Sequence, residues 1–410
     1  MNNPLVPGLA AQIPNKQPAW KISPANGKYY INSVAVSPDG GRVVGGTFFH
    51  SYGATEPRRG PARLPAAGST ASPDDGTFGV YCYSGSGQPL WKDEFAGWQG
   101  VYWVALSADG SRAAAGGFMS ASAPHGFVRA YDAVNQGRLL LSIQTQQRVN
   151  QVALSGDGTW LVSAAETLLL FRYDPVAGAY RQSDKFSPGN QDGIVSTAIS
   201  SDGLTVAYAD YDGNIGVFTN TAGQLTLRAR WKVPGTAKTD FCHMIDLAPD
   251  GKAFAAGGAS GMFYFFDVAS FIATGQPTSG YSTGVPGAVY GVAVAETGGR
   301  FVGVVNNGEA GAACLVGLAP GSARLEVQLA LKRNPNCADL NAANGLLAIA
   351  DGHPDGSPGH YYLYYCGKPG VYHLRWIFQT GNMSWPVTIA ANGSAVVGGS
   401  DDSNIYCFTP

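Results

Sequence analysis

Apolar and polar positions recur along this chain as a single phrase that is written eight times. Each copy begins with a run of Val, Ala, Ile and Leu, turns at an Asp-Gly, Asn-Gly or Gly-Gly pair, and continues with a second apolar run that mostly ends in small residues. Because both turn positions tolerate positive φ, each phrase predicts a β-hairpin. The copies span residues 31–46, 101–117, 149–165, 194–209, 242–258, 289–305, 335–350 and 384–399.

The turns of these hairpins are regularly spaced. Successive turn glycines are separated by 70, 48, 45, 48, 47, 47 and 48 residues, in the order Gly40, Gly110, Gly158, Gly203, Gly251, Gly298, Gly345 and Gly393. A third apolar strand follows every hairpin, and a fourth follows most of them. Four antiparallel strands in every period of this length are typical of a propeller blade. The sequence therefore predicts an all-β fold, an eight-bladed β-propeller of four-stranded antiparallel blades.

The two ends of the chain predict how the ring closes. The 17 residues after Gly393 suffice for the second and third strands of the last blade but not for a fourth. The segment PAWKIS at 18–23 resembles the fourth strands PLWKDEF and RARWKV, so we expect it to pair with the C-terminal blade and hide the sheet edges. The predicted organisation is an N-terminal arm at 1–17 and a single propeller domain at 18–410. The long first interval places an insertion at about 50–76 in the first blade.

Two repeat families share this pattern. The hairpin with its Asp-Gly turn and the segment YADYDGNIGVFTN at 208–220 resemble WD40 repeats, and the segment YSGSGQPLWKDEF at 83–95 resembles the quinoprotein-type eight-bladed propellers. The resemblance implies the fold, and a role as an assembly factor or interaction platform. Quinoprotein dehydrogenases carry a vicinal disulfide above their cofactor, whereas this sequence has no Cys-Cys pair. We therefore expect no quinone and no other cofactor.

Composition narrows the range of partners and compartments. Charged residues make up 13% of the chain, and 26 Lys and Arg against 28 Asp and Glu give a net charge of −2. Without a basic stripe or a long apolar run, we expect no nucleic-acid binding and no membrane span. Residues 1–18 lack the features of a secretory signal, which indicates a cytoplasmic protein, or a periplasmic or secreted one if a signal was removed before the numbering began. We expect a monomer.

The first strand of each repeat is the innermost strand of its blade. One equivalent position near the start of each of these strands lies on the face where they begin, here called the top face. Its occupants are Asn32, Tyr102, Asn150, Val195, His243, Tyr290, Asn336 and Trp385. Trp103 adds a ring beside them, and Asp246 and Asp339 replace the usual alanine two or three residues later. Two interpretations remain open: these side chains fill the channel and bond to each other or to trapped water, or they form a ligand-binding ring in the central funnel.

Two loops carry further candidate chemistry. The insertion in the first blade contains Arg58 and Arg59, a basic pair that suits a carboxylate or phosphate, or that belongs to a solvated loop. The connection DGHPDGSPGHYY at 351–362 contains His353, Asp355 and His360. Two imidazoles and a carboxylate are a set that transition metals accept, but spacing in a Gly- and Pro-rich loop fixes no geometry. A metal site there is a minor alternative to having none.

Three functions remain open after this reading. The first is a non-catalytic binding or scaffold propeller whose top face and central funnel take a protein or small-molecule partner. The second is a propeller enzyme, a lyase, isomerase or oxidoreductase, with His243, Tyr102, Tyr290 and Asp246 as candidate catalytic residues. The third is a carbohydrate-binding propeller, suggested by abundant aromatic and amide side chains with little charge. The regular repeat without an assembled acid–base set favours the first function.

Overall fold

The computed structural model describes residues 15–48, 77–96, 100–119, 125–235, 242–258, 260–282, 284, 287–295, 299–306, 311–319, 322–353, 356–368 and 371–410. Several predicted features lie outside these ranges: residues 1–14 of the arm, the insertion at 50–76 with Arg58 and Arg59, and Asp355. The side chain of His243 also lies outside the description. The division into an arm and one domain stays a prediction.

The described strands form four-stranded antiparallel units, which we call blades and number in chain order. The first described strand is β1 (Trp20–Ile22), which belongs to the last blade, and a 3-10 turn (Pro24–Gly27) follows it. Blade 1 contains β2 (Tyr30–Val36), β3 (Arg42–Phe48), β4 (Thr77–Ser84) and β5 (Pro89–Ala96). Blade 2 contains β6 (Gly100–Leu106), β7 (Arg112–Phe118), β8 (Gly126–Asp132) and β9 (Arg138–Thr145). Blade 3 contains β10 (Gln151–Leu154), β11 (Trp160–Ala164), β12 (Leu168–Asp174) and β13 (Ala179–Phe186). Blade 4 contains β14 (Ile194–Ile199), β15 (Thr205–Asp210), β16 (Asn214–Thr221) and β17 (Gln224–Lys232).

The second half of the chain repeats the arrangement. Blade 5 contains β18 (Cys242–Leu247), β19 (Ala253–Gly258), β20 (Met262–Asp267), the helix α1 (Val268–Thr274) and β21 (Ser279–Ser282). Blade 6 contains β22 (Ala288–Val294), β23 (Arg300–Asn306), β24 (Ala312–Ala319) and β25 (Ser322–Ala330). Blade 7 contains β26 (Pro335–Asn341), β27 (Leu346–Asp351), β28 (His360–Lys368) and β29 (Val371–Gln379). Blade 8 contains β30 (Ser384–Ile389), β31 (Val396–Ser400) and β32 (Ile405–Phe408), completed by β1.

The blades form a ring, which confirms the predicted propeller fold. Each innermost strand packs against the innermost strands of the blades before and after it, and β2 packs against β30 across the two ends of the chain. The arrangement is consistent with the eight blades expected from the repeats. No helix in the described part of the chain is long and apolar enough to cross a membrane.

The hydrophobic core is divided among the contacts between blades. Eight clusters of buried side chains each join two successive blades, and the last one joins blade 8 to blade 1. Small residues in the second strands allow the close approach. A Cβ on Gly46 would lie 2.5 Å from Val101 Cγ1 of the next blade, and one on Gly257 would lie 2.5 Å from Val289 Cγ1. The glycines that end the hairpin phrases are therefore packing positions.

The ring closes through the N-terminal strand, as predicted. Trp20, Lys21 and Ile22 pair antiparallel with Cys407, Tyr406 and Ile405. The Trp20 indole Nε1–H also donates to the carbonyl of Gly85 in blade 1 at 2.8 Å. One short strand thus completes blade 8 and ties it to blade 1.

The helix α1 in blade 5 is a feature that the repeat pattern did not predict. Asp267 caps its start by accepting the Ser270 amide at 2.8 Å, and Gly275 ends it in the left-handed conformation. Phe271 anchors the helix in the core between blades 4 and 5. The outer strand that follows has only four residues. It is the shortest outer strand among blades 1 to 7, whose four strands all come from one repeat.

Candidate functional site

The innermost strands converge on a central cavity of about 370 Å³, to which all eight of them contribute. Six of the predicted site residues line it. One is Asp246, and we call the other five the channel mouth: Asn32, Trp103, Tyr290, Asn336 and Trp385. Farther along the strands the lining is mostly Val, Ala, Leu and Ile, with Asp246 and Asp339 as its charged members among the described side chains. The cavity therefore has an aromatic and amide-bearing entrance and an apolar wall that two carboxylates interrupt.

The asparagines of the predicted ring tie successive blades together. Asn32 Nδ2 donates to the Tyr102 carbonyl of blade 2 at 2.7 Å. Asn150 Nδ2 donates to the Ile194 carbonyl of blade 4 at 2.8 Å, and a third amide, from blade 7, reaches a carbonyl of blade 8 in the same way. These three amides bond main-chain carbonyls of the next blade, so both interpretations of the ring stay predictions.

Two predicted residues, Tyr102 and Asn150, lie beside the cavity and do not line it. They surround Arg148, a buried arginine whose Nε donates to Asn150 Oδ1 at 2.5 Å. Its guanidinium carbon lies 4.6 Å from the centre of the Tyr102 ring and 4.9 Å from that of Phe118, and Nη2 donates to the Tyr211 hydroxyl at 3.2 Å. Sequence reasoning missed Arg148, because a single arginine in the polar stretch 144–151 gives no local sign of burial.

The two channel carboxylates each accept an amide hydrogen from the next innermost strand. Asp246 Oδ2 accepts from the Val294 amide at 2.7 Å, and Asp339 Oδ2 accepts from the Ile389 amide at 2.7 Å. Burial raises the pKa of Asp246 to about 7, and the nearby charge of Asp339 adds to the rise while the Val294 amide opposes it. The channel thus holds a carboxyl group that ionises near neutral pH.

Cys337 lines the channel near both carboxylates. Burial raises the pKa of its thiol to about 12, and the negative charges of Asp339 and Asp246 act in the same direction. The thiol is therefore protonated at neutral pH, and its chemistry is that of a small apolar group and not of a nucleophile.

The candidate metal loop contains a different arrangement. Asp351 is fully buried at the end of β27. Its Oδ1 accepts the His360 amide at 2.8 Å and lies 2.9 Å from His360 Nδ1, and its Oδ2 accepts the Tyr362 hydroxyl at 2.6 Å. His360 is thus committed to an intramolecular bond through Nδ1. Among the described residues, no three His, Cys, Asp or Glu side chains come close enough to hold a metal. The proposed set with Asp355 stays a prediction.

Asp351 is, after Arg148, the second buried charged residue that the sequence analysis did not identify. A signal for it exists, since the second strands TVAYAD and LLAIAD both end in aspartate. The first of these, Asp210, is also fully buried, and its Oδ1 accepts the Asn214 amide at 2.8 Å. In both blades the aspartate fixes the loop to the third strand, which is a structural role.

Comparison with known proteins identifies the fold. No protein-family model matches the sequence, and a search of curated proteins gives no match. Sqt1 from Chaetomium thermophilum, bound to the N-terminus of the ribosomal protein L10, matches with a TM-score of 0.71 at 14% identity over 94% of this chain and 98% of that chain. A second crystal structure of Sqt1 from the same organism gives a TM-score of 0.72 at 14% identity over 96% of this chain and 98% of that chain. Sqt1 from Saccharomyces cerevisiae gives 0.69 at 10% over 97% and 100%. Sqt1 is a WD40-type propeller, so the WD40-like resemblance fits; the quinoprotein-like one stays a prediction.

Proposed function

We propose that this chain is a non-catalytic protein-binding propeller that presents its channel mouth to a segment of a partner protein. The observation that carries the proposal is the convergence of Trp103, Tyr290 and Trp385, from three innermost strands, on one cavity. Aromatic side chains at a concave, partly desolvated surface are the usual anchors of protein recognition. A cavity of about 370 Å³ is small for a binding pocket and suits one or two side chains of a partner.

Two further observations support binding over catalysis. Of the candidate catalytic residues, Tyr290 and Asp246 line the cavity, whereas Tyr102 packs on Phe118 and Arg148 beside it and does not complete the set. In addition, the neighbour of similar fold, Sqt1, was crystallised with a segment of another protein, the N-terminus of L10. L10 is the partner of Sqt1. For this chain the comparison supports a protein segment as the class of ligand, and it does not identify that protein.

The experiment is quantitative capture with a matched pair of variants. The mouth variant carries Trp385→Asn and Tyr290→Asn, because asparagine stands at the equivalent position of three other blades and the fold accepts it there. The control is Val176→Asn, which changes a 97% exposed side chain on a turn outside the channel. We expect one protein to be retained in stoichiometric amount by the wild type and by the control, and to be lost from the mouth variant. Equal retention by all three proteins would refute the proposal.

A further inference from the structure

The two channel aspartates stand at a position that the fold does not require to be charged. After the irregular start of their strands, regular pairing resumes at Met244 and at Cys337. If these two residues are counted as first, Asp246 and Asp339 are third. Five other blades place an alanine there, also facing the cavity: Ala35, Ala105, Ala153, Ala198 and Ala293. Each of those blades packs with a methyl group where Asp246 and Asp339 have carboxylates. The charges are therefore additions to a repeat that folds without them.

The fold compensates the two additions to different extents. Asp339 accepts hydrogen bonds from the Leu340 and Ile389 amides and from the Thr388 hydroxyl, whereas the carboxylate of Asp246 is unfavourable for the folded protein on its own. Placing a carboxylate in a confined, largely apolar channel costs free energy unless a positive charge or several hydrogen bonds compensate it. Among the described side chains that line the cavity, none is Lys, Arg or His. The raised pKa of Asp246 is the physical sign of this incomplete compensation. A ligand that brings a positive charge would supply what the lining lacks.

The rest of the lining suits an organic cation better than a metal ion. The rings of Trp103, Tyr290 and Trp385 line the same cavity, and aromatic faces attract ammonium and guanidinium groups. The Val, Ala, Leu and Ile side chains that also line the cavity suit the methylene stem of a lysine or arginine side chain. A metal would need at least three convergent ligands, and the described residues offer no such group.

We propose that the channel is a binding site for an organic cation, the guanidinium or ammonium of one arginine or lysine side chain of the partner protein. The aromatic mouth surrounds the stem, and Asp246 and Asp339 receive the charged head. This inference rests on the proposed function, since it names the chemistry of the partner that enters the mouth.

The test compares two peptides that differ only in charge. Acetyl-Gly-Arg-Gly-amide and its citrulline analogue have the same shape, but only the first carries a guanidinium. Binding is followed by ligand-detected NMR to the wild type, to a channel variant with Asp246→Ala and Asp339→Ala, and to the control Asp192→Asn. Asp192 is exposed in the loop before β14, so the control removes one charge outside the channel. Alanine is the residue that other blades use, and circular dichroism checks that the variant is folded.

We expect the arginine peptide to bind the wild type and the control with the same affinity, and the channel variant roughly tenfold more weakly or not at all. The citrulline peptide should bind the wild type as weakly as the arginine peptide binds the channel variant. Equal binding of the two peptides, or unchanged binding of the arginine peptide to the channel variant, would overturn the inference. So would agmatine, a free organic cation, binding to the channel while the arginine peptide does not, because the site would then serve a metabolite.

The two proposals fail in different ways. If capture of a partner depends on Trp385 and Tyr290 while both peptides bind alike, the protein-binding function stands and the cation site is refuted. If no partner depends on the channel mouth, the proposed function is refuted whatever the peptides do.

Discussion

Replacing Asp246 by alanine should lower the stability of the protein slightly at acidic pH, and this loss should be offset or reversed at slightly alkaline pH. The pKa of this carboxyl is about 7 in the folded protein, against about 3.9 in an unfolded chain. Between these values the folded state keeps a proton that the unfolded state has released. The free energy of unfolding therefore falls as the pH rises from about 4 to about 7. Above about pH 7 the carboxyl is charged in both states, and the folded protein is destabilised by the full cost of burying that charge.

The magnitude follows from the difference between the two pKa values. One pKa unit corresponds to about 1.4 kcal/mol, so a difference of about three units sets an upper limit of about 4 kcal/mol. Asp246 is only half-buried at the channel wall, and water in the channel screens its charge, which brings the expected effect to about 1–2 kcal/mol. The titratable groups that interact with it are Asp339 and Cys337 on β26, and Tyr290 on β22 lines the same cavity. The lost bond to the Val294 amide costs about 1 kcal/mol at every pH.

The assay is urea unfolding of the wild type and the Asp246→Ala variant at about pH 5 and about pH 8, with Asp192→Asn as the control. The difference in unfolding free energy between the variant and the wild type should shift in favour of the variant by about 1–2 kcal/mol between the two pH values. The control should show no such shift, because its carboxyl is exposed. A difference that does not change with pH would refute the reasoning that burial in the channel holds this carboxyl protonated.

Three further predictions concern the frame around the channel. Trp20→Ala should lower the unfolding free energy by about 3 kcal/mol, since the indole joins blade 8 to blade 1, and urea unfolding measures it; a neutral result would contradict closure through β1. Asp351→Asn should cost about 3 kcal/mol, because the buried carboxylate takes part in four hydrogen bonds, and a melting temperature equal to that of the wild type would contradict this. Gly303→Ala should prevent stable folding, because its Cβ would overlap the Phe263 ring, whereas Gly280→Ala, with its nearest atom at 3.5 Å, should be tolerated; soluble yield and circular dichroism distinguish the two.

The blades and their closure were predictable because their signals are local and repeated. An Asp-Gly or Asn-Gly pair between two apolar runs specifies a hairpin wherever it occurs, and each copy supports the interpretation of the others. The segment around Trp20 was recognised because it resembles the outer strands of other blades. The helix Val268–Thr274 was missed because seven residues are too few to show a helical period, although its cap at Asp267 and its glycine at 275 are both in the sequence.

The channel lining was predicted less well, for a geometric reason. Most innermost strands have an irregular register near their start, as between Val101 and Trp103 in blade 2. Such a bulge decides which of two successive side chains faces the channel, and a shift of one residue turns a side chain to the other face. In blade 2 it is Trp103 that lines the cavity, and Tyr102 turns to Phe118. Repeat spacing specifies the position of the strand, but it does not specify which of two successive side chains faces the channel.

The measurement that tests the central claim most directly is site-specific photo-crosslinking with benzoylphenylalanine at two positions. One is Trp385 at the channel mouth, and the other is Val176, which is exposed on a turn outside the channel. We predict that a partner protein crosslinks to position 385 and not to position 176, and that Asp246→Ala with Asp339→Ala weakens this crosslink. A crosslink from position 176 alone, or no protein crosslinked at position 385, would contradict the account.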